Sequence, residues 1–429
     1  MILRRALCLL LLLSANIALA DDWPQWRGPN RDGVWRESGV VEKFAEKQLK
    51  PKWSVPIGTG YTGPTVADGR VYVMDRHRQP EQVERVYCFR SSDGEKLWDF
   101  EYPCVYRGVG YEAGPRACVT IDNGKAYALG SMGHLHCFDV KSGDVVWKKD
   151  CNAVYKIEMP IWGITAAPLV YKNLVILHIG GEKACVVALD KNTGEEAWKA
   201  LDDRGQYSAP VLVKQGDADV VIVWTGDSIA GLDAASGKVH WRHVWKPKKM
   251  PIGVASPVVS GQRVFFTSFY DGSTLLELAA DKPESKILWQ RVGESENVGK
   301  TDALQSIIST PIILGDYVYG VDSYGQLRCL NLADGERVWE DQTAVPRARW
   351  STIHFVKHDD KVWMFNERGE LIIAKLSPKG FEEISRTKIL SPTTAQLNQR
   401  GGVCWSHPAF AEKCIFARND EELVCVSLE

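Results

Sequence analysis

One eleven-residue pattern recurs along the chain: a small residue, an acidic or polar residue two places later, a turn carrying glycine, and tryptophan at the end. Its fullest copy runs from Ala188 through Asp190, Thr193 and Gly194 to Trp198. The same spacing joins Cys88, Gly94 and Trp98; Cys137, Gly143 and Trp147; Gly231, Gly237 and Trp241; and Cys329, Gly335 and Trp339. A copy from Asp281 to Trp289 has its turn rebuilt, and one from Ala374 to Ile384 keeps Gly380 but lacks the tryptophan. Each copy reads as a β-hairpin. An apolar run forms one strand, the Asx/Thr-Gly turn supplies a residue tolerant of positive φ, and the second strand carries the tryptophan. Such a unit cannot bury both of its faces alone, so the copies must stack on one another.

Upstream of each hairpin lies a second pair of strands. Pro311 to Leu314 leads through Gly315 and Asp316 into Tyr317 to Tyr319, and Ser323 to Gly325 turns the chain into Gln326 to Leu330. A small residue with proline marks each start, at Pro64, Pro115, Pro168, Pro210, Pro257, Pro311 and Pro408, with Ile353 at the matching place in one unit. Proline is tolerated at a first strand position, where its missing N–H falls outside the ladder. Eight starts, spaced by about 42 to 55 residues, predict an all-β fold: an eight-bladed β-propeller of four-stranded antiparallel blades. The last blade is one strand short, since Cys425 to Leu428 has no tryptophan strand after it. Pro51 to Pro56, carrying Trp53, precedes any first strand and is expected to complete that blade, closing the ring and removing its open edge. Seven of the 16 tryptophans (Trp53, Trp98, Trp147, Trp198, Trp241, Trp289 and Trp339) are thereby assigned as wedges between blades.

The organisation expected is a leader over 1–20, an extended strap over 21–50 and the propeller over 51–429. Arg4 and Arg5 precede the apolar run Ala6 to Leu13, and Ala18-Leu19-Ala20 forms a small-residue cleavage site, the pattern of a secretory signal. Cleavage near Ala20 would leave a periplasmic or secreted chain. No later segment approaches the roughly 20 apolar residues of a spanning helix, so an integral membrane protein is not expected. A net charge of −2 supplies no basic field for nucleic acid, and the cluster Lys246, Lys248 and Lys249 reads as a solvated loop. A monomer is expected. Of 11 cysteines, Cys8 lies in the leader; Cys88, Cys137, Cys329 and Cys425 share the small repeat position and read as core thiols. Cys104, Cys118, Cys151, Cys185, Cys404 and Cys414 are open to partial pairing. No CxxC, CxxCH or zinc spacing is present.

The Ala-x-Asp-x-x-Thr-Gly-x-x-x-Trp pattern resembles the tryptophan-docking repeat of the pyrroloquinoline-quinone-type (PQQ-like) β-propellers, over essentially residues 51–429. Asp22-Trp23-Pro24-Gln25-Trp26-Arg27-Gly28-Pro29, Gly114-Pro115-Arg116, Ser131-Met132-Gly133 and Met159-Pro160-Ile161-Trp162-Gly163 are similar to a secreted bacterial subgroup of that family. The family includes quinoprotein alcohol dehydrogenases, the outer-membrane-protein assembly propeller and many non-catalytic relatives, so the resemblance implies the fold more strongly than an activity. For a dehydrogenase it implies pyrroloquinoline quinone and calcium as cofactors, with a stacking tryptophan, cationic partners, carboxylate and amide oxygens for the metal and an aspartate base. The alcohol dehydrogenases also carry adjacent cysteines over the cofactor, and this chain has no Cys-Cys pair and no haem motif.

The segments entering the first strands should converge at one mouth of the central channel. They carry Tyr61, Tyr111, Glu112, Trp162, Tyr207, Gln305, Arg349, Trp350, Arg400, Trp405 and His407 as candidate cofactor- or ligand-binding residues. Aromatic rings and arginines converging on one axis suit a flat or sugar-like ligand, and they equally fill a channel that needs a plug. Glu112 and Asp302, the acidic residues nearest such mouths, are the candidate metal ligands. His134 and His136 alternate on one strand without a third ligand in view, and His407 is a polar exception where other blades have Ala209, Ser256 and Thr310. Trp23, Trp26 and Trp35 precede the ring and read either as a lid or partner-binding arm or, the preferred reading, as a strap packing along the outer or lower surface of the blades. No convincing catalytic set emerges, which favours a non-catalytic binding or scaffolding propeller with cell-envelope proteins as partners. A quinone-dependent alcohol or sugar dehydrogenase and a carbohydrate-binding propeller are the alternatives.

Overall fold

Alternating apolar strands separated by Gly-containing turns build eight separate four-stranded antiparallel sheets, seven of them meanders in sequence order. The computed structural model describes residues 22–394, 396 and 401–429; the expected leader and Arg400 lie outside the described residues. The first blade runs Thr65–Ala67, Arg70–His77, Val83–Arg90 and Lys96–Pro103, and seven more follow around the ring. The last is composite. Ala409–Ala411, Cys414–Arg418 and Glu422–Ser427 are joined by Trp53–Pro56, with Trp53 opposite Cys425 and Pro56 opposite Glu422. The ring closes as the repeat count requires. No helix among the described residues is long and apolar enough to cross a membrane.

The small repeat position has a direct structural reason. Cys88 stands opposite Trp98, Cys137 opposite Trp147, Ala188 opposite Trp198, Gly231 opposite Trp241 and Cys329 opposite Trp339. A Cβ added at Gly231 would sit 2.3 Å from the Trp241 ring, so bulk there is excluded by the cross-strand indole. In these blades a register shift follows the small residue, a β-bulge that increases local twist beside the tryptophan.

Each indole then docks on the next blade. Trp98 Nε1 donates to Val140 O at 3.0 Å, and Trp289 Nε1 to Leu332 O at 2.9 Å. The turn glycine of the following repeat lies flat against the ring: a Cβ on Gly143 would come 2.7 Å from Trp98, and one on Gly194 2.6 Å from Trp147. Blade five has no such glycine. There Trp241 Nε1 donates to Gln215 Oε1 at 3.0 Å, and Gln215 Nε2 donates onward to Glu284 O at 2.8 Å. The apolar core is accordingly distributed between blades, as where Tyr72, Val86 and Trp98 of the first meet Val119, Ala126 and Phe138 of the second.

Two expectations are corrected. Six of the marker prolines immediately precede their first strands, but Pro115 lies well before Thr120–Asp122. Val119 takes the equivalent place, and the Pro115 carbonyl instead accepts from Tyr61 N and Thr62 Oγ1, both at 2.9 Å. The ten cysteines among the described residues are all buried and free, so none of the six open to pairing is bonded. Burial pushes thiols such as Cys118 and Cys151 up to about 12.

The segment before the ring crosses the face opposite the mouth. Trp23 pairs with Val66, Pro24 O accepts from Ile121 N, and Arg31 donates to the carbonyls of Ala167, Pro168 and Pro210. It continues along blades seven and eight, with Val34 bridged to Lys357 and Gln48 to Lys388. Trp23 and Trp35 bury against Phe410 and Trp363. Trp26 behaves differently and turns into the channel.

Candidate functional site

The inner strand of every blade starts at the mouth and runs toward the face crossed by the strap, so the residues before and at each start line the axis. They enclose a cavity of about 130 Å³. Tyr61, Tyr111, Trp162, Tyr207, Trp350, Trp405 and His407 all lie on its wall. Trp162 is the hub of the mouth, with ring centroids 5.9 Å from Tyr111, 5.5 Å from Trp350 and 5.0 Å from Tyr207. Trp405 packs on Tyr61 and Tyr111, each at 6.3 Å. The tilted and edge-on pairings among these rings are the favoured geometries for aromatic quadrupoles.

Two of these residues adopt a backbone conformation that bulky side chains avoid: φ is +53° at Tyr111 and +66° at Trp350. Each costs about 1–3 kcal/mol, held by surrounding contacts. Both strained residues present their rings to the cavity. Strain of this kind concentrates where a side chain must be aimed.

The deeper wall is more polar. His354 Nε2 lies 2.9 Å from Trp405 O, and His407 Nδ1 lies 2.5 Å from Pro408 O, so each ring places one N–H on a carbonyl. Their rings are 4.9 Å apart. Burial holds His354 down at about 4 and His407 well below its ordinary value, with the neighbouring imidazole and Arg27 adding to the effect on His407. Both are neutral at ordinary pH. Trp26 closes the strap end, its ring 5.0 Å from His407 and its Nε1 donating to Ser256 Oγ at 2.9 Å. Burial also pushes the Tyr207 phenol up to about 12.

Four expected residues are elsewhere. Glu112 is half-exposed, 3.8 Å from Arg76. Asp302 receives Arg291 Nε at 3.0 Å and Nη2 at 3.1 Å and accepts from Ala303 N. Each carboxylate is thus engaged by its own arginine, and no group of three His, Cys, Asp or Glu able to hold a metal exists among the described residues. Gln305 is buried between blades, donating to Phe269 O at 2.8 Å. Arg349 stands on the exposed rim over Phe269 and Trp350 rather than on the wall. Arg400 is outside the described residues.

Sequence reasoning missed Trp26, Arg116, Thr165, His354 and the apolar lining at Val254, Ile307 and Ile308. Arg116 had a signal, since it sits in the Gly-Pro-Arg run beside one of the marker prolines. Trp26 had none, because it lies outside the repeat.

The chain matches the family model described as outer membrane protein assembly factor BamB, over residues 82–341 and 227–429. It is 22% identical over 257 residues to the outer membrane protein assembly factor BamB of Yersinia pestis, covering 58% of this chain and 61% of that protein. The match thus spans about three fifths of that relative's length. Among solved structures it resembles BamB from Moraxella catarrhalis, with a TM-score of 0.58 and 15% identity over 88% of this chain and 99% of the other. It also resembles a quinohemoprotein alcohol dehydrogenase from Comamonas testosteroni, with a TM-score of 0.61 and 14% identity over 94% and 80%. At these identities the structural likeness is one of fold.

The cavity wall can be tested against the cofactors of the dehydrogenase branch. A flat tricarboxylate quinone with calcium demands several cations and a set of carboxylate and amide oxygens. Among the described residues the wall has one guanidinium, two neutral imidazoles, aromatic rings and no carboxylate. These residues do not fit pyrroloquinoline quinone with calcium.

Proposed function

Starting from the premise that this chain belongs to the PQQ-like repeat β-propeller family related to BamB and the quinohemoprotein alcohol dehydrogenases, we propose that it is a periplasmic or secreted binding and scaffolding propeller without catalytic activity. The observation that carries this reading is the composition of the central cavity. Proton abstraction from an alcohol needs a base beside its hydroxyl, and the wall offers no carboxylate among the described residues. Its two imidazoles are held by burial well below their ordinary range, His354 at about 4, which makes them weak bases. Partners would be cell-envelope proteins, received on the loops and outer strands of a rigid ring, where extended segments add to exposed strand edges.

The test has two arms. Cross-linking in cell envelopes, followed by purification of the tagged chain, should recover a defined envelope protein. Purified protein supplied with pyrroloquinoline quinone and calcium should leave an artificial electron acceptor unreduced across a panel of alcohols and sugars. Acceptor reduction would overturn the reading, and so would the absence of any cross-linked envelope protein.

A further inference from the structure

The Arg116 guanidinium stands on the cavity wall without a carboxylate partner among the described residues. Its Nη1 donates to Gly114 O at 2.7 Å and to Ser131 Oγ at 3.1 Å. Its Nη2 donates to Gly110 O at 2.9 Å and to Tyr111 O at 2.6 Å. Those four bonds leave Nε–H over. The carbonyls fix the group in place but cancel none of its formal charge. It also stands over the Tyr61 ring, 5.0 Å from its centroid. A positioned, half-buried cation with no carboxylate partner among the described residues is a site for an anion, and its remaining Nε–H can give one charge-assisted hydrogen bond to a carboxylate oxygen.

Size and wall chemistry narrow the class. The cavity, at about 130 Å³, is close to the roughly 150 Å³ that holds one benzene ring in an apolar core. Tyr111, Trp162, Trp350 and Trp405 meet at angles from 49° to 75°, a box of ring faces and edges that receives a planar ring. A sugar ring carries several hydroxyls that need partners. Of the aliphatic hydroxyls on the wall, Thr165 donates to Tyr207 O and Ser256 accepts from Trp26 Nε1, and most of the remaining lining is aromatic or aliphatic. The floor imidazoles add no second positive charge, so one anionic group is matched and two are not.

We propose that the central cavity binds a single-ring aromatic monocarboxylate, with its carboxylate on Arg116 and its ring among Tyr111, Trp162, Trp350 and Trp405. The inference is independent of any protein partner and requires no reaction.

Benzoate titrated into the full chain, read by tryptophan fluorescence and calorimetry, should bind saturably at one site. It should bind at least about ten-fold tighter than benzamide, its neutral analogue of the same shape. Arg116→Gln should erase that preference, whereas Trp162→Leu should weaken both ligands and keep it. Arg116 also ties the loop at residues 110–114, so the benzoate–benzamide comparison on the unaltered chain decides the matter if Arg116→Gln does not fold. Equal affinities for the two, no saturation by benzoate, or binding of glucuronate in place of benzoate would each overturn the proposal.

Discussion

His136 sits among aromatic rings, with centroids 5.2 Å from Phe100, 4.4 Å from Tyr102 and 5.7 Å from Phe138, and its Nδ1 has no partner. Burial, with His134 and Lys148 adding to it, pushes this imidazole from 6.5 down to about 4. Between those values the unfolded chain binds a proton that the folded chain refuses. The stabilising contribution is therefore whole above about pH 6.5 and is lost as pH falls toward 4, a loss of about 2 kcal/mol at pH 5. His136→Phe keeps a ring in the slot and removes the titration. Urea denaturation should show it at least as stable as the parent at pH 7, and losing about 2 kcal/mol less between pH 7 and pH 5. Identical losses in the two proteins would show that His136 is not protonated on unfolding. The sequence placed His134 and His136 on one face by their alternation, but which neighbours enclose that face is decided by the adjacent blade.

At the scale of the element, the turn glycine carries two constraints, and only one is legible in sequence. Gly194 has φ +73°, which the Asn-Thr-Gly turn predicts; it also lies under the Trp147 ring, which belongs to the preceding blade. Gly124, at φ +77°, has nothing within 4 Å of its built Cβ. Alanine at Gly124 should cost only the left-handed backbone term, about 1–2 kcal/mol. Alanine at Gly194 should cost that and an overpacking term of about 1–3 kcal/mol more, read as the difference in denaturation free energy. Equal costs would mean that the indole yields freely. The same limit explains the offset at Pro115. A proline beside a small residue marked a start in six other blades, yet here it supplies a carbonyl to the Tyr61–Thr62 segment, a contact between blades that periodicity does not encode. It explains the mouth as well. Aromatics at matching blade starts were readable because the repeat aligns them, whereas Arg116 is held by carbonyls and Trp26 arrives from outside the repeat.

For the whole molecule, the repeat count, the incomplete final blade and the stray Trp53 strand determine a closed ring, and closure distributes cooperativity unevenly. Seven junctions are joined by continuous chain from blade to blade, but blade eight is held to blade one through Trp53–Pro56. There Trp53 Nε1 donates to Ser91 O at 2.7 Å, and the indole covers Gly94 as its counterparts cover theirs. Trp53→Ala and Trp147→Ala remove equivalent indoles, and each should destabilise by about 3–5 kcal/mol as a buried aromatic truncation. Their consequences should differ in extent. Without Trp53 the strand that closes the ring loses its anchor, so hydrogen exchange should accelerate through Glu422–Ser427, Cys414–Arg418 and the strap that bridges to blade seven. Without Trp147 the covalent path between blades two and three remains, and faster exchange should stay within those two sheets. If both variants lose protection around the entire ring, the junctions are equivalent and the closing strand has no special mechanical role.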